Sequence, residues 1–325
     1  MKTELLALLQ EENFVSGQKI SETLHVSRTA VWKIISHLRD EGYEIQAVPN
    51  KGYCLKRIPD VITEEACLRE MKTRWAGRNL VYCPEVDSTN TLAKKLGEQG
   101  AVHGTLVVTD MQTGGKGRRG RNWYIPKGEA IAMTLLLRPC LEPRCASMLT
   151  LVAALAVSRA IDGETGLQTS IKWPNDIVYG GKKICGILTE MSADMDEIHY
   201  VAVGIGINTG HMEFDSELRE KADTLFHITK HFLPRRILIA RVMEEFEACY
   251  EIFCGAGTLE PLRDAYEARL ANKGNGVRVL EPNHEYDGIC LGITQGGELL
   301  VQNAAGQVRT VVSGEVSVRG IYGYV

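Results

Sequence analysis

The sequence predicts an α+β protein in three parts, because its hydrophobic pattern changes twice along the chain. Residues 1–60 read as short helices followed by two strands, and residues 274–325 read as short strands separated by turns. Between them, helical and strand patterns mix without the strict βαβ repeat of a parallel sheet, which favours a mixed sheet. We therefore expect domains at residues 1–60, 61–273 and 274–325.

Two short helices joined by a tight turn are predicted near the N-terminus. The second helix has Ser27 as its N-cap and an apolar stripe at helical spacing, formed by Val31, Ile34, Ile35 and Leu38. The first begins at residues 16–17 and carries Ile20 and Leu24. Because only residues 25–27 separate them, the pair is typical of a helix-turn-helix.

Alternating strands at residues 43–48 and 52–56 surround a turn and complete a winged helix-turn-helix. Residues 26–57 contain six Lys or Arg against three Asp or Glu, a modest excess that suits DNA. The predicted DNA contacts are Ser27, Arg28, Thr29 and Lys33 on the second helix and Lys51 on the wing. The alternative is a docking or dimerisation domain. The module is expected to end at Ile58-Pro59-Asp60.

The remaining elements follow from periodicity. Helices are predicted at residues 145–161, 234–254 and 259–271, and strands at residues 105–109, 198–208 and on both sides of the turn Gly180-Gly181 within 171–189. Turns at residues 287–288, 295–297 and 305–306 divide the C-terminal part into short strands, as in a small β-barrel of the SH3 type.

Composition places the chain among ordinary globular proteins, with 44% hydrophobic and 24% charged residues. The net charge of -4 indicates that any DNA contact is local. Nine cysteines without a C-x-x-C pair favour reduced thiols in the cytoplasm, mostly in the core, over disulfides or zinc. The N-terminus does not resemble a secretory signal, and the longest apolar stretch, residues 148–157, is too short for a bilayer. We expect no membrane partner.

A run of four cations and three glycines at residues 115–123 follows the strand at 105–109. Glycines let the backbone approach a ligand, and cations attract negative charge. The spacing also fits G-x-G-x-x-G, but Pro126 and Gly128 stand where a dinucleotide-binding helix would continue. We therefore predict a flexible loop that closes over a phosphate-bearing ligand. The alternative is a solvated basic turn.

This run resembles the adenylate-binding loop of biotin protein ligases, whose pattern is G-R-G-R-x-G-R, with Lys116 at a family arginine. Further family motifs follow in order at Ser88-Thr89-Asn90, at Lys172-Trp173-Pro174-Asn175-Asp176, at residues 181–190 and at residues 204–208. The resemblance covers nearly the whole chain. It implies a central domain like that of class II aminoacyl-tRNA synthetases.

The resemblance implies a two-step reaction. The biotin carboxylate attacks the α-phosphate of ATP, which travels with Mg²⁺, and gives biotinyl-5′-AMP and pyrophosphate. A lysine of the biotin carboxyl carrier protein of acetyl-CoA carboxylase then takes the biotin. In members with a winged helix, biotinyl-5′-AMP is also the corepressor of a homodimer on operator DNA that controls biotin genes.

Residue roles follow from the matched motifs. Lys183 and Arg118 are the predicted catalytic cations, whereas Lys182 is expected to be a solvated lysine. Ser88, Thr89, Asn90 and Gln112 are expected to bind the ureido ring, or to cap a helix. Glu190 and Asn208 are weaker candidates that can equally satisfy buried backbone. Expected adenylate contacts are Gly115, Lys116, Gly117, Arg118, Arg119, Gly120, Arg121, Trp123, Lys172, Asn175, Asp176, Lys183, Gly186, Gly204, Gly206 and Asn208, with Asp176 also a Mg²⁺ ligand.

Two other functions fit parts of this pattern. A lipoate ligase shares the fold, but the winged helix and Lys172–Asp176 favour biotin. A transcription factor that senses a ligand without catalysis would not need the complete cationic loop or Lys183. Lysine at position 116 provides a point charge where arginine provides a bidentate fork, so it is expected to hold the adenylate differently.

Overall fold

The computed structural model describes residues 2–9, 14–40, 42–57, 60, 62–123, 126–281, 284–313 and 317–320. Contacts divide the chain into two compact units, Met1–Val61 and Ile62–Val325. The first boundary falls beside the one expected at residue 60, although Ile58 and Pro59 lie outside the described residues. The boundary expected at residue 273 lies within the larger unit, so the three-domain division stays a prediction.

The first unit has the elements of a helix-turn-helix with a hairpin: α1 Lys2–Leu9, α2 Gly17–Leu24, α3 Arg28–Asp40, β1 Glu44–Val48 and β2 Gly52–Arg57. Both predicted helix starts are confirmed. Ser16 Oγ accepts from the N–H of Lys19 at 3.1 Å, and Ser27 Oγ accepts from the N–H of Ala30 at 3.2 Å. β1 starts one residue later than predicted and pairs antiparallel with β2.

The predicted apolar stripe forms the core of this unit. Ile35 and Leu38 are at most 1% exposed and pack among Leu5, Leu9, Val15, Ile20, Val31 and Ile45. Burial of this stripe is what gives α3 its orientation, since the opposite face carries exposed polar side chains.

The second unit is built on a mixed seven-stranded sheet of order β3-β4-β5-β9-β8-β7-β6. β3 and β4 are parallel, and the other neighbouring pairs are antiparallel. This confirms the predicted mixed sheet. The strands are β3 Asn79–Cys83, β4 Thr105–Thr109, β5 Ala130–Leu137, β6 Ser170–Lys172, β7 Asp176–Tyr179, β8 Lys182–Ala193 and β9 Ile198–Asn208.

Helices cover this sheet and contribute to its core: α4 Glu64–Glu70, α5 Thr89–Glu98, α6 Met148–Thr165, α7 Ser216–Arg219, α8 Leu225–Thr229, α9 Arg235–Ala256 and α10 Glu260–Glu267. The predicted helix 145–161 begins later, after a short turn at Pro143–Cys145, and runs further. The predicted helix 259–271 ends early at Glu267. Its last residues instead bond to β6: the N–H of Ile171 donates to Arg269 O at 2.7 Å, and the N–H of Ala271 donates to Ile171 O at 2.9 Å.

Residues Pro143–Thr165 are long and apolar enough to cross a membrane by length and composition alone. However, 78% of the apolar window is buried inside the fold. α6 packs against α9 and the sheet, where Leu149, Val152 and Leu155 are at most 1% exposed. Its apolarity is therefore that of a core helix.

The C-terminal part is an antiparallel sheet of order β13-β12-β11-β10-β14, as expected for a β-rich domain. Its strands are β10 Gly276–Glu281, β11 His284–Ile293, β12 Leu299–Gln302, β13 Val308–Val311 and β14 Ser317–Gly320. The turns at 295–297 and 305–306 are confirmed, but the turn at 287–288 is wrong. Asp287 lies inside β11 opposite Arg278, whose guanidinium donates to its carboxylate at 2.7 and 2.9 Å.

The cysteines are free thiols, as expected for a reduced protein. Several are small core residues: Cys54, Cys67, Cys185, Cys249 and Cys290 are buried. Burial raises the pKa of the Cys185 and Cys249 thiols, which keeps them protonated and unreactive.

Candidate active site

A narrow cavity of about 60 Å³ lies over β5, β8 and β9 of the mixed sheet. The start of α5 and the loop after β4 form its sides. Side chains and backbone line it from Ser88, Thr89, Asn90, Gln112, Lys116, Gly117, Arg118, Trp123, Ala132, Met133, Asn175, Lys183, Gly186, Ile187, Leu188, Gly204, Ile205 and Gly206. Five separate sequence motifs therefore converge on one place.

One end of the cavity is polar and neutral. α5 begins at Thr89 after Ser88, whose hydroxyl makes no capping hydrogen bond within the described residues. The N–H and Oγ1 of Thr89 both donate to Gln112 Oε1, at 2.8 and 3.0 Å. Gln112 and Ser88 both line the cavity, and the Gln112 amide N–H groups and the Ser88 hydroxyl suit a neutral ligand with carbonyl and N–H functions.

Asn90 lines the cavity, but its amide is already used inside the protein. Its Nδ2 donates to Glu190 Oε2 at 2.8 Å, and its Oδ1 accepts from Thr134 Oγ1 at 2.7 Å. Glu190 in turn forms a 2.6 Å ion pair with Lys94. Burial raises the pKa of Glu190, but the hydrogen bonds from Lys94 and Asn90 outweigh burial and lower it. Glu190 therefore orients Asn90.

The glycines of β8 and β9 make room for site side chains. A Cβ on Gly204 would lie 2.1 Å from Asn90 Oδ1, and one on Gly206 would lie 2.8 Å from the ring of Trp123. A Cβ on Gly186 would meet Lys183 Nζ at 2.7 Å. All three glycines were expected to contact the adenylate; in the structure each lies close to one of the protein's own side chains.

Charge is concentrated at the other end of the cavity. Lys183 Nζ lies 2.6 Å from Asp176 Oδ1 and 5.5 Å from the centroid of the Trp123 ring. The two charged side chains are 23% and 12% exposed, so solvent screens their attraction only partly. Lys182, expected to be a solvated lysine, is 37% exposed and lies 3.7 Å from Asp223.

Arg118 reaches the same end from the loop. Its Nη1 donates to Asn175 Oδ1 at 3.0 Å, and Asn175 Nδ2 donates to Ile187 O at 3.0 Å. Burial lowers the pKa of Arg118 while Asp176 opposes that shift, and an arginine remains charged at neutral pH. Asn175 thereby fixes a cation beside Lys183.

The cationic loop is a tight hairpin. The N–H of Trp123 donates to Gly115 O at 2.8 Å, and the N–H of Gly117 donates to Arg121 O at 2.7 Å. Arg119 at its tip is in the left-handed region at φ 60°. No long helix follows it in the described residues, consistent with the rejection of a dinucleotide motif. Tyr124 and Ile125 lie outside the described residues.

Several predicted site residues do not line this cavity: Gly115, Arg119, Gly120, Arg121, Lys172, Asp176 and Asn208. Asp176 acts on it through Lys183, and a Cβ on Gly115 would meet Gln112 Nε2 at 2.7 Å. Asn208 Nδ2 donates to Asp223 O at 3.0 Å, a structural role. Arg119 and Arg118 line a neighbouring cavity of about 390 Å³ with Arg144.

Sequence reasoning missed the apolar floor and one hydroxyl. Ala132, Met133, Ile187, Leu188 and Ile205 line the cavity. No strand was predicted from the sequence at Ala132 and Met133, and the other three residues were given no individual role in the site. The Thr134 hydroxyl, fully buried, supports Thr89 and Asn90 at 2.8 and 2.7 Å. No sequence signal distinguished it from any strand threonine.

The fit of the site to Mg²⁺ is limited to one carboxylate. The described residues hold no group of three or more His, Cys, Asp or Glu side chains that could bind a metal ion. Asp176 has the oxygen chemistry that Mg²⁺ prefers, but it already pairs with Lys183 at 2.6 Å. Mg²⁺ commonly binds through one or two carboxylates and substrate phosphates, which this arrangement allows.

In the first unit, the predicted DNA contacts lie at the start of α3 and in the turn between β1 and β2. Arg28, Thr29 and Lys33 are exposed on α3, and Lys51 is exposed on the turn before β2. Ser27 is exposed and caps the helix. The sequence analysis missed Trp32, which is 58% exposed among these residues.

Comparison with known proteins agrees with this architecture. Residues 82–208 match the model of the biotin/lipoate A/B protein ligase family, residues 2–54 match an HTH domain, and residues 274–319 match the biotin protein ligase C-terminal domain. The chain is 38% identical to the bifunctional ligase/repressor BirA of Bacillus spizizenii over 97% of this chain and 98% of that protein. It is 30% identical to BirA of Escherichia coli over 97% and 96%.

A solved structure shares the fold of the larger part of the chain. The biotin protein ligase from Aquifex aeolicus, in complex with biotin and ATP, superposes with a TM-score of 0.65 at 30% identity. It covers 75% of this chain and 99% of that one. With a full-length BirA relative, a matching HTH domain and a matching C-terminal domain, the chain belongs to the biotin protein ligase family, in the class of bifunctional ligase/repressors.

Proposed function

We propose that this chain forms biotinyl-5′-AMP in the cavity around Lys183 and Arg118 and transfers biotin to a lysine of the biotin carboxyl carrier protein. The observation that carries the proposal is the convergence of two cations at one end and the Gln112–Thr89 pair at the other. The neutral end suits the ureido ring of biotin, and the charged end suits its carboxylate and a phosphate.

The chemistry asks for positioning and charge. A carboxylate oxygen attacks the α-phosphorus, and the bond to the bridging oxygen of pyrophosphate breaks. Both reactants are anions, so Lys183 and Arg118 offset the charge that accumulates. In the second step the acceptor lysine amine attacks the anhydride carbonyl, an amide forms, and AMP leaves. Mg²⁺ carried by ATP would neutralise phosphate charge, and Asp176 is the carboxylate that would hold it.

Trp123 and the hairpin are proposed to protect the intermediate. A mixed anhydride hydrolyses readily, so the site must exclude water between the two steps. Trp123 lies across Gly206 of the cavity floor, and its buried Nε1 has no hydrogen-bond partner within the described residues. The indole N–H is therefore suited to donate a hydrogen bond to a bound ligand. Lys116 lines the cavity at the family arginine, so it provides charge without a bidentate fork.

The ligase proposal is tested by intact mass. The chain is incubated with biotin, ATP, Mg²⁺ and a biotin carboxyl carrier domain, with lipoate as competitor. We expect a biotin-sized mass gain on the carrier that lipoate does not reduce. If lipoate reduces the biotin-sized mass gain, a lipoate ligase would be favoured. If the chain binds biotin tightly but the carrier gains no mass, a ligand-sensing regulator would be favoured.

We also propose repression of biotin genes through the first unit, with biotinyl-5′-AMP as corepressor. The exposed Arg28, Thr29 and Lys33 on α3 support it, since the recognition helix of such a fold enters the major groove. A homodimer would place two α3 helices on a palindromic operator. We place this protein in the cytoplasm, with no membrane partner. Binding of operator duplex, measured with and without biotin and ATP, tests the proposed repression.

A further inference from the structure

Trp173 belongs to the Lys172–Asp176 motif but lies outside the cavity. It is 2% exposed and packs in the core of the second unit. Its two neighbours in the motif, Asn175 and Asp176, orient Arg118 and Lys183. The motif therefore has one face toward the reacting end of the site and one face toward the interior.

The interior face is held by the C-terminal part of the chain. The backbone N–H of Trp173 donates to Asn272 Oδ1 at 3.0 Å, and its indole Nε1–H donates to Gly297 O at 2.9 Å. Asn272, 1% exposed, lies between α10 and β10, and Gly297 lies in the turn between β11 and β12. Both contacts are buried, where a hydrogen bond is expensive to leave unmade.

The Gly297 carbonyl is itself fixed. The turn that carries it closes with hydrogen bonds from the N–H of Gly297 to Thr294 O at 3.0 Å and from the N–H of Thr294 to Glu298 O at 2.9 Å. A further bond from the N–H of Leu259 to Gln295 O, at 2.9 Å, ties the same turn to the start of α10. The indole thus bonds to a rigid acceptor.

We propose that Trp173 is a positioning residue through which the C-terminal sheet holds Asn175 and Asp176, and with them Arg118 and Lys183, in place for adenylate formation. The biotin end has separate supports, because Thr89, Gln112 and Thr134 bond to one another on α5, the loop after β4, and β5. Loss of the Trp173 contacts should therefore impair the ATP-dependent step and spare biotin binding. This inference rests on the proposed ligase function.

The test compares two indole deletions. Trp173→Phe keeps a ring and removes the donor to Gly297 O. Trp75→Phe is the matched control, because Trp75 Nε1 donates to Glu251 Oε1 at 3.1 Å on α9, away from the cavity lining. Biotin Kd is measured by calorimetry, kcat and KM for ATP by pyrophosphate release, and Tm by calorimetric unfolding.

We expect Trp173→Phe to lower kcat/KM for ATP about five- to tenfold, the effect of one buried hydrogen bond, and to leave biotin Kd within about twofold. Trp75→Phe should lower Tm but leave both constants unchanged. If Trp173→Phe does not fold, Asn272→Ala replaces it as the test, because it removes the acceptor of the Trp173 backbone N–H. It should likewise lower kcat/KM for ATP and leave biotin Kd unchanged.

Equal losses in biotin affinity and in kcat/KM would overturn the inference, because they would indicate a general loss of structure. So would an unchanged ATP dependence in both Trp173→Phe and Asn272→Ala. A wild-type chain that forms no biotinyl-5′-AMP would instead refute the proposed ligase function on which the inference depends.

Discussion

Lys183 and Asp176 form an ion pair of 2.6 Å across the β7–β8 pair, directly beside the cavity. The Lys183 ammonium also lies over the Trp123 ring at 5.5 Å. Asp176 is thus the resident counter-ion of the ammonium that a substrate carboxylate or phosphate would approach. A bound anion would replace Asp176 as the counter-ion of Lys183 or share Lys183 with it. Anion binding would therefore affect Asp176, Lys183 and the loop that carries Trp123 together.

Lys183→Ala should lower the rate of biotinyl-5′-AMP formation by about 10²- to 10³-fold, since it removes a charge-stabilising donor and leaves Asp176 without that cation. The matched control is Lys182→Ala, because the Lys182 side chain lies near Asp223 and not near Asp176. Adenylate formation is followed by pyrophosphate release. A comparable loss in both variants would mean that net charge, and not the position of Lys183, matters.

Gly206→Ala should displace Trp123, because the added Cβ would lie 2.8 Å from its ring. Overpacking of this kind costs about 1–3 kcal/mol, so retention of the adenylate should weaken about tenfold or more. The measurement is the dissociation rate of biotinyl-5′-AMP. Gly163→Ala is the control: nothing lies within 4 Å of its added Cβ, and on α6 it should stabilise the protein by about 0.5–1 kcal/mol. An unchanged dissociation rate for Gly206→Ala would show that Trp123 does not hold the adenylate.

Glu190 should make the protein sensitive to acid. Its pKa is lowered below the usual 4.5, because the hydrogen bonds from Lys94 and Asn90 outweigh the effect of burial. The stabilisation is therefore complete above pH 4.5 and is lost as the pH falls through the lowered pKa. The Tm advantage of wild type over Glu190→Gln should shrink between neutral pH and about pH 3. An advantage that stays constant with pH would exclude this ionisation as its source.

Lys33→Ala should weaken operator binding and reduce the slope of log K against log salt by about one, the signature of one lost phosphate contact. Trp32→Ala should weaken binding with the slope unchanged, because its 58% exposed ring carries no charge. Lys95→Ala, on α5 of the other unit, is the control. Binding is measured by fluorescence anisotropy at several salt concentrations. An unchanged slope for Lys33→Ala would place Lys33 away from phosphate.

Local pattern predicted most of the elements and the polar residues of the site. The stripe Val31, Ile34, Ile35 and Leu38 specified α3, and the motifs contain most of the residues that line the cavity. Local pattern failed where long-range pairing competes with propensity. Asp287-Gly288 has turn composition, yet the Arg278 guanidinium and the neighbouring strand hold it extended.

The sequence by itself determined the family, the winged helix-turn-helix, the mixed sheet and the two cations, because these are written in residue type and spacing. Tertiary structure alone decided that Gly204 and Gly206 accommodate Asn90 and Trp123, and that Thr134 supports the polar end. It also decided that Trp173 bonds to Asn272 and Gly297, about a hundred residues away. Such contacts depend on which strand faces meet and at what distance, and no local periodicity encodes that.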